Sequence, residues 1–374
     1  EAPPVTLGEA PPVTDPGPLH LPYSVLGKPQ NTVPWPEPYH TLDDENTYTS
    51  FVKHQGIKMN FDTFVSKELC PEDYQILLPY FKMRYSHTCE NILVSNFMWK
   101  DYYNTRYIRD AHGLIWIMDV DGQPGTMVPL CAPEDLKHYF EVAQAYFNEC
   151  LGTKMILYLA DKEAVDLLQL DTTRYDVKAD RRYFDYVYDA RKLMSFIGKA
   201  YHKKKNHVNA FMKNYDGRYE YRSLERDSKY HDEIMTFLKK WETERNIEDA
   251  YHRIDYELNG IDYLLTNCRY LDYKMGGIYI DGKLEAFSLG VYGKAERMAV
   301  IHVEKANPEI RGLYPFICQQ FLLHEFPDAL LVNREDDIGL EGLRKSKLSY
   351  NPIYLEEKYE IRQNKAVFRW LSQR

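Results

Sequence analysis

Three carboxylates stand together near the end of the chain, at Glu335, Asp336 and Asp337. They follow an apolar segment at 329–332 that is predicted to be a strand, and strand ends are where α/β sheets commonly carry ligand groups. A carboxylate in such a place can orient an amine or accept its proton, so we expect these three residues to be catalytic. The alternative is a loop held by its own ion pairs, for example Arg334 with Asp337.

The same segment carries cations that could hold a phosphate or a carboxylate of a substrate. Arg344 and Lys347 are the candidates for this role, and they come shortly after the carboxylates. The side chains expected to line a pocket for the acceptor substrate are Glu304, Asn333, Arg334 and Tyr350.

A second candidate is the basic segment at 190–215. It contains seven lysines and arginines and two histidines but no acid, although the whole chain has a net charge of −9. Phosphate groups are attracted to such a concentrated positive charge, and counterion release adds to the binding. A solvated helix face would have the same composition, so both interpretations stay open. The candidate phosphate contacts are Lys199, Lys203, Lys204 and Lys205.

A third candidate is the loop at 304–313, which leads into a predicted helix. Free N–H groups and the helix dipole make the N-terminus of a helix an anion-binding position. Arg311 and Gly312 are the candidate contacts here. Because Gly312 is the one glycine in this loop, a plain connecting loop is the alternative. His302, which precedes the loop in an apolar strand, is interpreted as a core residue.

Alternating strands and helices must position these groups. The clearest signals are two hairpins with Asp-Gly turns, at 121–122 and 281–282. Predicted helices span 133–150, 190–215, 230–246 and 314–325. The order of elements recurs, which predicts an α/β (α+β) protein with mixed, mainly antiparallel sheets in two related halves, 46–186 and 187–374. The preceding residues 1–45 are proline-rich, repeat Glu-Ala-Pro-Pro-Val-Thr, and are predicted to be a tail or linker.

The composition excludes several classes of protein. A chain of 374 residues with 47 basic and 56 acidic side chains is not a generic nucleic-acid coat, so any polyanion must bind a local basic patch. Apolar runs are too short to span a membrane. The six cysteines are scattered without a C-x-x-C pair, which favours reduced thiols, a cytoplasmic location and no metal site. No signal sequence is visible, and export stays open.

Several of these segments resemble the soluble C-terminal domain of phosphatidylglycerol lysyltransferases. The resemblance extends over about 60–355, more faintly in the first half around Trp99-Lys100 and Pro129. It is carried by 276–278 (Gly-Gly-Ile), 286–290 (Ala-Phe-Ser-Leu-Gly), 302–306 (His-Val-Glu-Lys-Ala), 333–336 (Asn-Arg-Glu-Asp), 342–347 (Gly-Leu-Arg-Lys-Ser-Lys) and the lysine-rich stretch 193–211.

The resemblance implies two tandem acyltransferase domains of the GNAT type, similar to the Fem peptidoglycan aminoacyltransferases. Characterised members move an aminoacyl group from a charged tRNA to an acceptor such as a lipid headgroup, and a lysine-rich helix facing the tRNA would fit. The chain shows no segment like the membrane-spanning part of the lipid-modifying enzymes, which argues against a lipid acceptor. It also lacks the Arg-x-x-Gly-x-Gly/Ala loop of acetyl-CoA enzymes, of which Arg311-Gly312 is a remnant.

The leading hypothesis is therefore an aminoacyl- or acyltransferase that needs no cofactor, takes aminoacyl-tRNA as donor, and acts by direct aminolysis or alcoholysis of an activated ester. One alternative is an N-acyltransferase of the same fold that uses an acyl-CoA donor. Another is a non-catalytic module that binds an anionic partner. The transferase hypothesis requires the basic segment and the acid-rich loop to line a common cavity.

Overall fold

Helices and strands alternate along residues 65–243 and 251–364, the part of the chain that the computed structural model describes. The strands are β1 (Lys67–Glu68), β2 (Arg106–Arg109), β3 (Gly113–Val120), β4 (Gln123–Gly125), β5 (Leu130–Cys131), β6 (Ile156–Asp161), β7 (Tyr175–Ala179), β8 (Asp185–Asp189), β9 (Tyr219–Leu224), β10 (Lys274–Ile280), β11 (Lys283–Gly293), β12 (Met298–Ala306), β13 (Leu331–Asn333), β14 (Tyr354–Glu356) and β15 (Lys358–Gln363). The predicted tail, 1–45, lies outside the described residues.

The described residues form eleven α-helices. They are α1 (Tyr74–Leu77), α2 (Leu93–Met98), α3 (Lys100–Tyr103), α4 (Leu136–Glu149), α5 (Lys162–Leu168), α6 (Ala190–Ser195), α7 (His202–Asn214), α8 (His231–Thr243), α9 (Tyr251–Thr266), α10 (Leu313–Glu325) and α11 (Glu341–Leu348). None of them is both long and apolar enough to cross a bilayer.

The largest sheet has seven strands in the order β14-β8-β13-β12-β11-β10-β9. All neighbours are antiparallel except β12 and β13, so the predicted α/β class with mainly antiparallel sheets is confirmed. The hairpin predicted around 281–282 is also confirmed as β10 and β11. Asp281 and Gly282 both have positive φ in its turn, at 51° and 80°, as a tight two-residue hairpin turn requires.

The parallel pair separates after three residues. Strands β12 and β13 are in register only from Met298↔Leu331 to Val300↔Asn333, where β13 ends, whereas β12 continues to Ala306. The segment after β13 stays bonded to β8, because Arg334 N–H donates to Tyr186 O and Tyr186 N–H donates to Glu335 O. We call the region between 301–306 of β12 and 334–337 the wedge.

The sequence predicted a single helix over the basic segment 190–215, and this prediction is wrong: the structure has two helices there, α6 and α7. Asp189 caps α6 by accepting from Lys192 N–H, but α6 ends at Ser195, and the next residue, Phe196, has φ 48°. Gly198 follows with φ 110°, a value that favours glycine, and the chain then restarts through a 3₁₀ turn into α7. The break places the Phe196 ring in the core, 6.2 Å from the ring centre of Tyr350.

A separate three-stranded sheet joins distant parts of the sequence. Strand β15 lies between β6 and β7 and is antiparallel to both, so the last described strand pairs with strands of the first predicted half. The predicted boundary at 186/187 falls inside β8, which belongs to the seven-stranded sheet. The division into two domains stays a prediction. In the structure, β15 from the second predicted half lies in a sheet with β6 and β7 from the first.

Apolar side chains pack on both faces of the seven-stranded sheet. One cluster includes Phe287 and Val303 with side chains from α8 and α9. The other joins α7 and α10, where the Phe211 and Phe316 rings are 4.6 Å apart. The packing of α10 therefore determines where the basic helix α7 lies.

We expect Phe211→Ala to lower the free energy of unfolding by about 3–5 kcal/mol, because it removes a fully buried ring from this cluster. Urea denaturation measures the change. Leu323→Ala on α10 is the control, since Leu323 is 43% exposed, and we expect a loss below about 0.5 kcal/mol. Equal losses in the two variants would contradict this account of the packing.

Candidate active site

A buried ion pair spans the wedge. Arg334 Nη2 lies 2.6 Å from Glu304 Oε1, and the two side chains are 12% and 8% exposed. Burial alone would lower the pKa of Arg334, but the carboxylate of Glu304 raises it well above its usual value. The Arg334 guanidinium lies 4.4 Å from the Tyr350 ring centre and 5.7 Å from that of Tyr188. Its Nη1 is buried and has no hydrogen-bond partner among the described residues.

The basic helix meets the C-terminal segment at Tyr350. Lys204 Nζ lies 3.6 Å from the Tyr350 ring centre and donates to Ser349 Oγ at 2.7 Å. Burial and the nearby charge of Arg334 lower the pKa of Lys204 to about 8. Lys204 and Arg334 therefore both contact Tyr350, which puts two of the sequence-derived regions side by side. That they share one ligand remains a prediction.

The third region adjoins the same helix. Gly312 begins α10 with φ 88°, and a Cβ there would lie 2.2 Å from the carbonyl O of His207 on α7. Burial lowers the pKa of His207, and Arg311, Lys203 and Lys204 lower it further because they are nearby cations. The cations of the loop and of α7 thus form one positive surface. Lys199 and Lys205, which the sequence also predicted to contact phosphate, are exposed.

The carbonyl of His207 argues against a phosphate at the start of α10. Its oxygen carries partial negative charge and lies against Gly312, where an anion would have to approach the free N–H groups. Moreover, Leu313 N–H already donates to Ile310 O. Of the two predicted anion contacts in this loop, Arg311 therefore stays a prediction, and the geometry argues against Gly312.

Asp337 has contacts that make it a poor base. Its buried carboxylate accepts from Tyr186 OH at 2.6 Å, from Arg344 Nε and Nη2 at 2.9 Å, and from Arg181 at 3.1 Å. Although burial raises its pKa, the hydrogen bonds of Arg344, Tyr186 and Gly339 N–H lower it to about 2. This argues against the catalytic role predicted for Asp337 and the phosphate role predicted for Arg344, and it favours the ion-paired loop.

Lys347 and Asp336 also hold the loop together. The buried ammonium of Lys347 donates to the carbonyl oxygens of Arg334 and Asp336, which leaves it poorly placed for a substrate phosphate. Asp336 Oδ1 accepts from Ile338 N–H at 3.1 Å, a turn-forming contact. Neither arrangement supports the substrate role predicted for these two side chains.

Glu335 makes a different contact, across the wedge. Its Oε1 lies 2.7 Å from Nδ1 of His302, whose side chain is fully buried. The backbone N–H of Glu335 donates to Asn333 Oδ1 at 2.7 Å. The Glu335 carboxylate and the His302 imidazole therefore bridge the wedge. The sequence offered one signal for this contact: His302 and Glu304 are two residues apart on a strand that is otherwise mostly apolar.

Asn333 serves a neighbouring buried cluster rather than the predicted acceptor pocket. Its Nδ2 donates to Asp185 Oδ2 at 2.8 Å and to His87 O at 2.7 Å. Lys358 Nζ lies 2.7 Å from Asp185 Oδ1, 2.8 Å from Glu90 Oε1 and 3.4 Å from Cys89 Sγ. Sequence reasoning missed this cluster, because its members come from distant segments and form no local motif.

The same cluster has the donor types of a metal site. Ligand atoms of Cys89, Glu90 and Asp185 lie within 4.8 Å of one another. The ammonium of Lys358 contacts all three of these side chains and supplies the positive charge that a cation would bring. We therefore assign the cluster to a buried ion-pair network that attaches β15 to the seven-stranded sheet.

Comparison with known proteins agrees with this architecture. A family model described as the C-terminal part of phosphatidylglycerol lysyltransferase matches residues 83–362. An uncharacterised protein of Mycoplasmoides gallisepticum is 23% identical over 243 residues, which are 63% of this chain and 73% of that protein.

Solved structures show the same fold. A conserved protein of unknown function from Bacteroides thetaiotaomicron has a TM-score of 0.73 and 25% identity, covering 80% of this chain and 100% of that one. The lysylphosphatidylglycerol synthase of Bacillus licheniformis has a TM-score of 0.58 and 12% identity over 80% of this chain and 96% of that one. The chain therefore shares its fold with these proteins, and its description as two tandem acyltransferase domains of the GNAT type stays a prediction.

The buried cluster predicts a pH dependence of stability. Burial raises the pKa of Glu90 to about 7; the ammonium of Lys358 opposes this shift, and the negative charge of Asp185 adds to it. A carboxyl whose pKa is higher in the folded state than in the unfolded chain stabilises the fold at low pH. Its contribution is lost as the pH rises through about 7.

We therefore expect the free energy of unfolding of Glu90→Gln to fall less than that of the wild type between pH 5 and pH 8. The difference should be roughly 2 kcal/mol, on the scale of about 1.4 kcal/mol per pKa unit. Urea denaturation at both pH values measures it, and Glu341→Gln, at an exposed position, should behave as wild type. A variant with the wild-type pH dependence would show that Glu90 is ionised throughout.

Proposed function

The chain belongs to the family of the phosphatidylglycerol lysyltransferase C-terminal domain, and on that basis we propose that it transfers an aminoacyl group from a charged tRNA to an acceptor. The observation that carries the proposal is the contact between the basic helix and the wedge. Lys204 and Arg334 both stack on Tyr350, so a polyanion on the exposed face of α7 lies next to buried polar groups.

The exposed cations are placed to bind tRNA phosphates. Lys199, Lys203 and Lys205 are exposed, and Arg311 adds to the charge at His207. These contacts orient the nucleic acid without reading its sequence. The aminoacyl ester at its end would then reach past Lys204 toward the wedge.

The buried guanidinium can stabilise the reacting ester. As the acceptor attacks, the ester carbonyl oxygen gains negative charge, and a preorganised donor in a site of low dielectric lowers that energy. Arg334 Nη1 is the candidate donor, since it is buried without a partner among the described side chains. Glu304 and the two tyrosine rings hold its position.

The position of α7 disfavours the alternative with an acyl-CoA donor. The pyrophosphate of CoA would need the free N–H groups at the start of α10, and there the His207 carbonyl lies against Gly312 of the remnant loop. One measurement distinguishes the proposal from the second alternative, a binding module without turnover. Enzyme-dependent release of the amino acid from charged tRNA would exclude it.

We expect replacement of Lys199, Lys203 and Lys205 by Ala to lower the affinity for tRNA. The affinity of this variant should also depend less on the salt concentration. Three lost phosphate contacts should lower the slope of log affinity against log salt by about 2 to 3. Filter binding of lysyl-tRNA at salt concentrations from about 50 to about 300 mM measures the slope.

The matched control replaces Lys137, Lys178 and Lys239, three exposed lysines on α4, β7 and α8. It changes the net charge equally and should leave the slope at the wild-type value. If both triple variants lose the same affinity, the charge of the whole chain, and not the basic helix, governs binding.

Arg334→Lys tests the catalytic part of the proposal. Lysine keeps the charge beside Glu304 but loses the planar fork, so we expect the release of labelled lysine from lysyl-tRNA to slow by about 10²–10³-fold. Binding of the charged tRNA should change less than about threefold, because the phosphates contact other residues. Unchanged release, measured with and without phosphatidylglycerol micelles, would remove Arg334 from the reaction.

A further inference from the structure

His302 is the bulged residue of β12. Leu289 on β11 pairs with Val303, and the next residue, Gly290, pairs with Ile301, so His302 has no residue opposite it. A β-bulge commonly redirects a side chain next to a functional site. This bulge lies where β12 has just parted from β13, since the last parallel pair is Val300↔Asn333.

The contacts of His302 define its tautomer. A carboxylate can only accept, so the 2.7 Å contact with Glu335 requires the proton on Nδ1. Nε2 is then an acceptor when the ring is neutral. It is buried and has no hydrogen-bond partner within the described residues. An unpaired buried polar atom costs stability, so its retention calls for a functional reason.

Glu335 is held firmly for this contact. It has φ 57°, which is unusual for a residue with a side chain. Its N–H donates to Asn333 Oδ1, and its carbonyl accepts from Tyr186 N–H of β8. The strained backbone is thus fixed from two sides, and the carboxylate points at His302.

The charged groups around this pair come from every side of the wedge. Glu304 and Arg334 form the neighbouring ion pair. Lys347 on α11 interacts with Glu335, as does Cys89 from the first half of the chain. Of these groups, the Glu335 carboxylate is the one in hydrogen-bond contact with the imidazole.

We propose that His302 is the general base of the transfer reaction and that Glu335 is its positioning residue, an inference that rests on the proposed transferase function. Nε2 takes the proton from the N–H or O–H of the acceptor as that atom forms its bond to the ester carbon. When the bond between this carbon and the ribose oxygen of the tRNA breaks, the same proton passes to the ribose oxygen. The pair is thereby returned to its starting state.

His302→Gln tests the role of the base. We expect kcat for the release of lysine from lysyl-tRNA, with water as acceptor, to fall about 10²–10⁴-fold while KM changes less than about threefold. The rise of kcat/KM with pH that the wild type owes to imidazole deprotonation should disappear. His112→Gln, at an exposed position, is the control and should keep both the rate and the profile.

Glu335→Gln tests the positioning role. We expect a smaller fall in kcat, and an apparent pKa in the kcat/KM profile that lies below that of the wild type, because the carboxylate no longer stabilises the imidazolium. A purely structural role would lower the rate without moving this pKa. Thermal melting checks that each variant folds, and His302→Asn replaces His302→Gln if the latter does not.

The outcomes separate the two proposals. If the wild type releases lysine and His302→Gln does so equally fast with the same pH profile, His302 is a core residue and the transferase proposal stands. If the wild type releases none, both proposals fail. Imidazole ¹⁵N spectra of the unliganded protein give a substrate-free reading, and a neutral ring protonated on Nε2 would overturn the role of His302.

Discussion

The parting of β12 from β13 is the constraint on which the rest of the site depends. Backbone hydrogen bonds join these strands only up to Val300 and Asn333, and beyond that point side chains must bridge the space. Two pairs do so, Glu304 with Arg334 and His302 with Glu335. A sheet that stayed paired would have filled the same positions with backbone contacts.

Buried charge explains why the C-terminal segment is so polar. A charged group inside a protein is tolerated when it is paired and hydrogen-bonded. Asp337 with Arg344 meets this requirement, as does Lys358 with Asp185. Many of the charges in this segment therefore stabilise the loop that presents Arg334.

The buried cluster around Lys358 connects the seven-stranded sheet with the three-stranded sheet. Strand β15 pairs with β6 and β7, while the ammonium at its first residue contacts Asp185 of β8. The two sheets are thus joined by an ion pair between a side chain of each.

The sequence by itself determined the α/β class, the hairpin at 281–282, the basic segment and the family, because turn residues, charge runs and motifs are local signals. Tertiary structure alone decided which charges are partnered. Asp337, Arg344 and Lys347 belong to the same local pattern as Glu335, and burial beside specific partners separates their roles. The pairing of His302 with Glu335 also required the fold, since residues far apart in the chain meet only where two strands diverge.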